Sequence, residues 1–490
     1  EEVHHGNAVE YARGFTGIET RDLYGTDFEL CYKELRKVIK IMRKERRPFL
    51  VRMDVPLLNH HTSGVRKEWY RDDLAEEAKR DPYPILIKKC LDTGISRAQL
   101  DNWAAEAATF VEAQYQSALQ MPDPTPEDLY TYDYAPTSIT SERGERAPKG
   151  AEPTVMVDAA LFAIKELMTE HPEALLYGQD VGGRLGGVFR EAATLAQKFG
   201  DGRVFNTPIQ EAFIIGSTVG MSAAGLKPIV EVQFADYLWP GMNQLFTEVS
   251  RSYYLSNGKW PVSTIIRIPI GAYGSGGPFH SSSVETVVTA IRGVKVAYPS
   301  TGADLKGLMK AAFYDPNPVV MLEHKGLYWS KIKGTEGAKT PEPSADYVVP
   351  FGKASIVLKA AKSAQERGEA ALVVTYGMGV YWALEAAKST EGRVSVLDLR
   401  TLSPWDKAEV MKQARMHGRV LVLTEEPSSP SFAQSVQGAI QEECFEALDA
   451  PVKLMGAENM PAIPLNATLE KTMLPNKEKV GQALEALLAY

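Results

Sequence analysis

Apolar positions along the chain change texture near residue 150. Before it, residues 28–46, "FELCYKELRKVIKIMRKER", carry apolar side chains at helical spacing and close in a strongly basic turn. The run "PFLVRMDVPLL" (48–58) reads as a strand, and "NHHTSGVRKEWYRDD" after it reads as a loop. From 74 to about 119 the spacing predicts helix again, most clearly over 96–119. Residues 121–153 are rich in Pro, Asp, Glu, Ser and Thr; that composition predicts a linker without a core of its own. Beyond it, "TVMVDAALFAIKELMTEH" predicts an amphipathic helix and "ALLYGQDV" a strand ending in the glycine-rich turn "GGRLGG". Short apolar strands follow at 228–234, 263–270, 294–299 and 318–324, with helical segments between most of them. A Pro- and Lys-rich stretch (332–345) precedes a third region, where "ALVVTYG", "VSVLDLR", "RVLVLTEE" and "PVKLMG" repeat the rhythm. Strands alternating with helices and bounded by Gly and Pro predict α/β domains with mainly parallel sheets.

Length and composition narrow the setting. A chain of 490 residues exceeds one core, and length alone suggests roughly three domains. The formal net charge of −8 offers no basic field for nucleic acid or anionic lipid. The three cysteines, Cys31, Cys90 and Cys444, lie far apart, which argues against a disulfide framework or thiolate metal site and for a reducing compartment. No apolar run reaches ~18 residues, and the start "EEVHHGNAVEYARG" lacks the pattern of a secretory leader. The expectation is a cytoplasmic protein, or a mitochondrial-matrix one in a eukaryote, with no membrane and no nucleic-acid partner.

Ligands of open parallel sheets bind beyond the carboxyl ends of the strands. Several polar clusters fall at such ends here: "GQDVGG", "NTPIQE", "FADY", "PIGAYGSGGPFHSSS" and "HKGLYW". Glu211 stands at the mouth of an otherwise apolar helix, where a carboxylate offsets the macrodipole. In the loop 271–283, four glycines and a proline precede His280, and "SSVE" (282–285) fits a capping box. His280 would then lie beside a helix N-terminus, which favours the neutral imidazole suited to acid–base work. Adjacent His60 and His61 cannot both face one point along an extended chain, so a shared metal is not expected. A loop with one working histidine fits better, with Thr62, Ser63 and Arg66 suited to phosphate or carboxylate. "GGRLGG" (182–187) is read as a flexible turn rather than a phosphate cradle. There is no G-x-S-x-G and no H-E-x-x-H. The residues alone reach an α/β enzyme with histidines and a glutamate at strand ends, and no further.

An ordered series of motifs goes further. From about 150 to 490, "YGQDVGG", "GGVFREAATLAQKFGDGRVFNTPIQE", "AAGLKPIVEVQFADY", "YGSGGPFHSSSVE", "VAYPSTGADLKGLM" and "DPNPVVMLEHKGLYW" resemble the β subunit of thiamin-diphosphate-dependent 2-oxoacid dehydrogenases. Residues 28–135, through "FELCYKELRKVIKIMRKERRPFLV" and "LLNHHTSGVRKEWYRDD", resemble the C-terminal part of the α subunit. The resemblance implies a fused α–β chain with a transketolase-like α/β fold: an α-like remnant (1–120), a linker (121–153), a pyrimidine-binding domain (154–330), a second linker (331–345) and a smaller C-terminal domain (346–490). It implies that Glu211 hydrogen-bonds the aminopyrimidine ring of thiamin diphosphate and so helps activate the thiazolium carbon. It further implies Tyr237 stacked on that ring and Ile209 as another cofactor contact. His280 would donate a proton during acyl transfer, and His61 would serve near the diphosphate. Asp315 and Asn317 would hold a structural monovalent cation such as K⁺.

The implied reaction is oxidative decarboxylation of a 2-oxo acid, branched-chain ahead of pyruvate, with transfer of the acyl group to the lipoyl domain of a partner acyltransferase. The implied assembly is a homodimer of fused chains. Three departures stand out. The motif that binds the diphosphate through Mg²⁺, G-D-G with an Asn roughly 25–30 residues on, is absent, as though an N-terminal part of the α half were missing. Gln179 and Leu57 stand where the family usually has Glu and Arg. A transketolase-type enzyme and a catalytically silent assembly subunit on the same scaffold are the alternatives.

Overall fold

The computed structural model describes residues 7–272 and 276–490. They form two compact units, 7–124 and 125–490, here taken one at a time. In the first unit, β1 (Glu19–Tyr24) and β2 (Phe49–Asp54) pair in parallel, Glu19 opposite Phe49, and α1 (Phe28–Glu45) connects them. Asp27 caps α1 by accepting from Leu30 N, and Arg43 and Lys44 face its C-terminal dipole. The long helix α2 (Arg97–Leu119) is capped by Ser96 and buries only Leu100. β1 went unpredicted because "ETRDLY" buries a single side chain and carries no alternation.

The second unit is built on two sheets. The strands of these two sheets are β3 (Ala174–Gly178), β4 (Val204–Asn206), β5 (Lys227–Glu231), β6 (Ile265–Ile270), β7 (Lys295–Ala297) and β8 (Val319–His324), then β9 (Ser355–Leu358), β10 (Ala371–Thr375), β11 (Val394–Asp398), β12 (Thr401–Ser403), β13 (Val420–Pro427) and β14 (Lys453–Ala457). The seven-stranded sheet runs β12-β7-β8-β6-β5-β3-β4, parallel except for β12; the five-stranded sheet runs β9-β11-β10-β13-β14, parallel except for β9. β3, β6, β8, β10 and β11 are buried at every position, as continuous apolar runs covered on both faces should be. The helix predicted after the linker is α3 (Met156–Glu170), which packs on α4 (Gly302–Tyr314). One apolar core is shared by the sheets, with Val230, Ile266 and Val320 in the same cluster as Leu372, Val374 and Val422.

The stretch expected as a linker is ordered against this unit from Thr125 onward. Ala135 and Ile139 are buried, and Asn317 brackets Ala135 by accepting from its N–H at 2.7 Å and donating to its carbonyl at 2.8 Å. Its composition concealed this because two small apolar anchors suffice. The "GGRLGG" turn is not loose either: a side chain on Gly186 would strike the backbone of Ala193, and one on Gly187 the carboxyl of Glu191. No helix among the described residues is long and apolar enough to cross a membrane.

Candidate active site

Three of the singled-out residues meet at the carboxyl ends of β3, β4, β5 and β6. Glu211 opens the helix Glu211–Ala223 as its first residue and is 6% exposed. The close approach that seats it is made at Gly241, where any Cβ would crowd the Glu211 carbonyl and the Ile215 side chain. Gln179, directly after β3, donates Nε2–H to Glu211 Oε1 at 2.8 Å. Among the described residues no donor reaches Oε2, so one carboxylate oxygen is held and the other is open. Gln233, after β5, donates to Asp180 Oδ2 at 2.9 Å and fixes the neighbouring turn. Ile209, two residues before the helix, is 83% exposed.

Tyr237 sits in the short helical turn Ala235–Tyr237. Its phenol oxygen and His280 Nε2 lie 2.9 Å apart. Partial desolvation, then the charges of Asp236 and Glu211, hold the phenol above its usual pKa. Glu211 is therefore within electrostatic reach of Tyr237. Phe234 meets the His280 ring edge-on at 4.8 Å between centroids and the Tyr237 ring at 5.5 Å. The imidazole is thus fixed by an aromatic wall and one hydrogen bond.

The local backbone differs from the expected capping box. Ser282 donates Oγ–H to Asp236 Oδ1 at 2.5 Å and its N–H to Asp236 Oδ2 at 3.2 Å, so it cannot cap the helix that follows. That helix, Glu285–Thr289, has Val284 as its N-cap and no side-chain cap. The orientation of His280 comes from Tyr237, Phe234 and Lys325, which donates to the His280 carbonyl, rather than from a helix dipole. Residues 273–275 of the loop lie outside the described residues.

His61 belongs to the first unit, exposed in the turn where Thr62 and Val65 form an isolated bridge. Its neighbour His60 is tied down, Nδ1 accepting from Lys67 N at 3.1 Å, so the two rings are not equivalent. At Leu57, the backbone N–H is taken by Glu77 Oε2 at 3.0 Å.

The side chains of Asp315 and Asn317 do not fit a bound cation. Lys295 Nζ lies 2.6 Å from Asp315 Oδ2, and Asp315 Oδ1 accepts from the backbone and side-chain nitrogens of Asn317 at 2.9 and 2.7 Å. The ammonium of Lys295 already supplies the positive charge, and Asn317 is spent on Ala135. Among the described residues, no group of three or more His, Cys, Asp or Glu side chains is arranged to hold a metal ion. Sequence reasoning missed Phe234, Gln233, Asp236 and Lys325 as site residues.

Known proteins place this geometry. Residues 154–330 match the transketolase pyrimidine-binding domain and residues 359–480 the transketolase C-terminal domain. The 2-oxoisovalerate dehydrogenase subunit beta of Bacillus subtilis is 38% identical over 337 residues, which is 68% of this chain and 98% of that protein. Its namesake in Pseudomonas aeruginosa is 35% identical over 342 residues, covering 68% and 94%. The pyruvate dehydrogenase E1 component subunit beta of Acholeplasma laidlawii is 35% identical over 336 residues, covering 68% and 97%. A solved split-gene transketolase, described as an inactive beta4 tetramer, shares the fold with a TM-score of 0.51 at 19% identity, over 69% of this chain and 99% of that one. With strand-end carboxylate, aromatic wall and histidine on a matching domain pair, this chain belongs to the family of 2-oxoacid dehydrogenase β subunits built on transketolase pyrimidine-binding and C-terminal domains.

Proposed function

We propose that this chain provides the pyrimidine-binding half of a thiamin diphosphate site and catalyses oxidative decarboxylation of a 2-oxo acid, passing the acyl group to the lipoyl domain of a partner acyltransferase. The observation that carries this is the half-satisfied Glu211 carboxylate, buried beside the Tyr237–His280 pair. The cofactor, when bound, supplies a thiazolium carbon that attacks the 2-oxo carbon and accepts the electron pair released with CO₂.

Glu211 Oε2 is the oxygen free to share a proton with a ring nitrogen, while Gln179 on Oε1 stops the carboxylate from rotating. Ile209 and the Tyr237 ring present apolar and aromatic surface for the pyrimidine, which accounts for so large an exposed side chain as Ile209. His280, steered by Tyr237, delivers a proton during transfer of the acyl group. His61 serves the diphosphate side in the same reading. Residues 1–120 are then an α-type segment fused to a β-type one, 121–153 and 331–345 are connectors, and the working assembly is a dimer of fused chains. Mg²⁺ would be held with the diphosphate by residues of an α-type half. Relatives named for 2-oxoisovalerate support a branched-chain substrate ahead of pyruvate.

The test is a calorimetric titration with thiamin diphosphate and Mg²⁺, run on the protein and on Glu211→Gln, each assembled with an α-type half, followed by CO₂ release from 3-methyl-2-oxobutanoate and pyruvate. Saturable binding with CO₂ release at least 100-fold lower in the variant is expected. Equal release from both proteins would remove Glu211 from the chemistry.

A further inference from the structure

We propose that Glu425, a residue of the C-terminal domain, is a positioning residue for His280. It rests on the reading of His280 as the proton donor. The Glu425 carboxylate is buried and accepts two hydrogen bonds: Ala272 N–H at 2.6 Å on Oε1 and His324 Nε2–H at 2.7 Å on Oε2. The direction of the second bond is fixed. His324 Nδ1 accepts from Gly326 N–H at 3.1 Å, so the ring proton sits on Nε2 and points at Glu425. Glutamate is therefore required here, since both facing groups are donors and the amide of glutamine could satisfy only one.

From this carboxylate two paths lead to His280. His324 is followed by Lys325, whose ammonium donates to the His280 carbonyl. Gly271 N–H donates to the Ser282 carbonyl at 3.2 Å, joining the Glu425-held end of β6 to the residue two beyond His280. Gly271 has φ +87°, and the His324 ring occupies the space a Cβ would need, so the strand end and the His324–Glu425 pair fit as one body. Glu426 repeats the device one residue on. Its Oε2 accepts from Thr286 N at 3.2 Å and Oγ1 at 2.7 Å, fixing the helix that follows His280. The end of β13 thus grips the His280 segment on both sides.

Hydrogen–deuterium exchange on Glu425→Gln tests the assignment, with Glu425→Asp, which keeps the carboxylate but shortens its reach, as the milder variant should Glu425→Gln fail to fold. At least tenfold faster exchange in peptides within 277–286 is expected, with β10 (371–375) unchanged. In the assembled enzyme, turnover with a lipoyl-bearing acceptor should fall at least tenfold while KM for the 2-oxo acid stays within twofold. Unchanged exchange at 277–286 in the variants, or equal acceleration in β10, would overturn the assignment. So would faster exchange with undiminished turnover. His280→Ala is run alongside: if it loses acyl transfer where Glu425→Gln does not, the positioning role fails and His280 keeps its own. If His280→Ala is fully active, the underlying reading of His280 fails instead.

Discussion

Two buried charge clusters in the second unit solve the same problem in opposite ways. In one, Arg146 grips Asp304 with both guanidinium arms, at 2.5 and 2.8 Å, and Arg400 adds a contact at 3.2 Å. Two cations there face two buried acids, Asp304 and Asp398, with the exposed Glu142 3.6 Å from Arg400 at the rim. Burial alone would raise Asp304, but the two arginines overcome it and bring its pKa to about 2. In the other, Arg267 is bidentate to Glu323 at 2.7 and 2.8 Å and reaches Glu231 at 3.3 Å, with the fully buried Glu191 close by. One cation faces three acids. Among the described residues, no donor of another residue reaches either Glu191 oxygen or Glu231 Oε1, and burial, then the charge of Glu191, pushes Glu231 well above the carboxylate range. In the balanced cluster Asp304, held by two guanidiniums, stays an ion; in the unbalanced one Glu231, sharing a single guanidinium with Glu323, keeps a proton. Burial is common to both, so the cations in contact with each acid decide.

The largest expected effect comes from removing the lone cation. Arg267→Met leaves three buried carboxyls with no counter-charge and should cost about 4 kcal/mol or more, read as loss of soluble protein or a collapsed urea midpoint. Retention of near-native stability would mean that the acids there are already neutral.

Next is the fourth member of the balanced cluster. Burial, reinforced by Asp304, pushes Asp398 to about 7. Its folded form keeps a proton that the unfolded chain releases near 3.8, so stability should fall as pH rises from 4 to 7 and level off above. Asp398→Asn should abolish this slope, which amounts to about 2–3 kcal/mol between urea unfolding at pH 5 and at pH 7.5. Asp304 works the other way: its folded pKa is depressed, so its contribution of about 2 kcal/mol is present above pH 4 and lost as pH falls towards 2. Acid titration of stability in Asp398→Asn isolates that lower limb. Smaller again is Arg146→Ala, at about 1–2 kcal/mol, because this side chain is 40% exposed and screened by solvent. Last, Glu191→Gln should raise stability by about 1 kcal/mol at pH 8 by removing an unpaired acid, with a Tm increase as the readout. A loss of stability there would mean that the pair is better with its shared proton than without it.

Neither cluster could be read from the sequence, whereas the strands around them could. The runs at 228–234, 263–270 and 318–324 became β5, β6 and β8 because strands buried on both faces leave unbroken apolar stretches. β9 and β12, four and three residues long at sheet edges, left no such trace. For the site, motif order brought out Glu211, Tyr237 and His280, and the structure gathers all three. Gln179 lies 32 residues from Glu211 along the chain, and Glu425 lies 153 from Ala272. No local period records partners so far apart, and a buried Glu at a strand end looks like any other acid until its donors are known. The capping box failed for the same reason: Asp236, 46 residues away, competes for Ser282.

The three-residue strand β12 bears on how far the two domains are separable modules. It follows the five-stranded sheet's β11 in sequence, yet Thr401 and Ser403 pair with Ala297 and Val296 at the edge of the other sheet. A gene ending after residue 345 would encode a pyrimidine-binding domain with β7 uncovered, a bare edge open to pairing with other chains. Exchange of domains between relatives at the apparent boundary would break this edge too, unless residues 401–403 travelled with the first sheet.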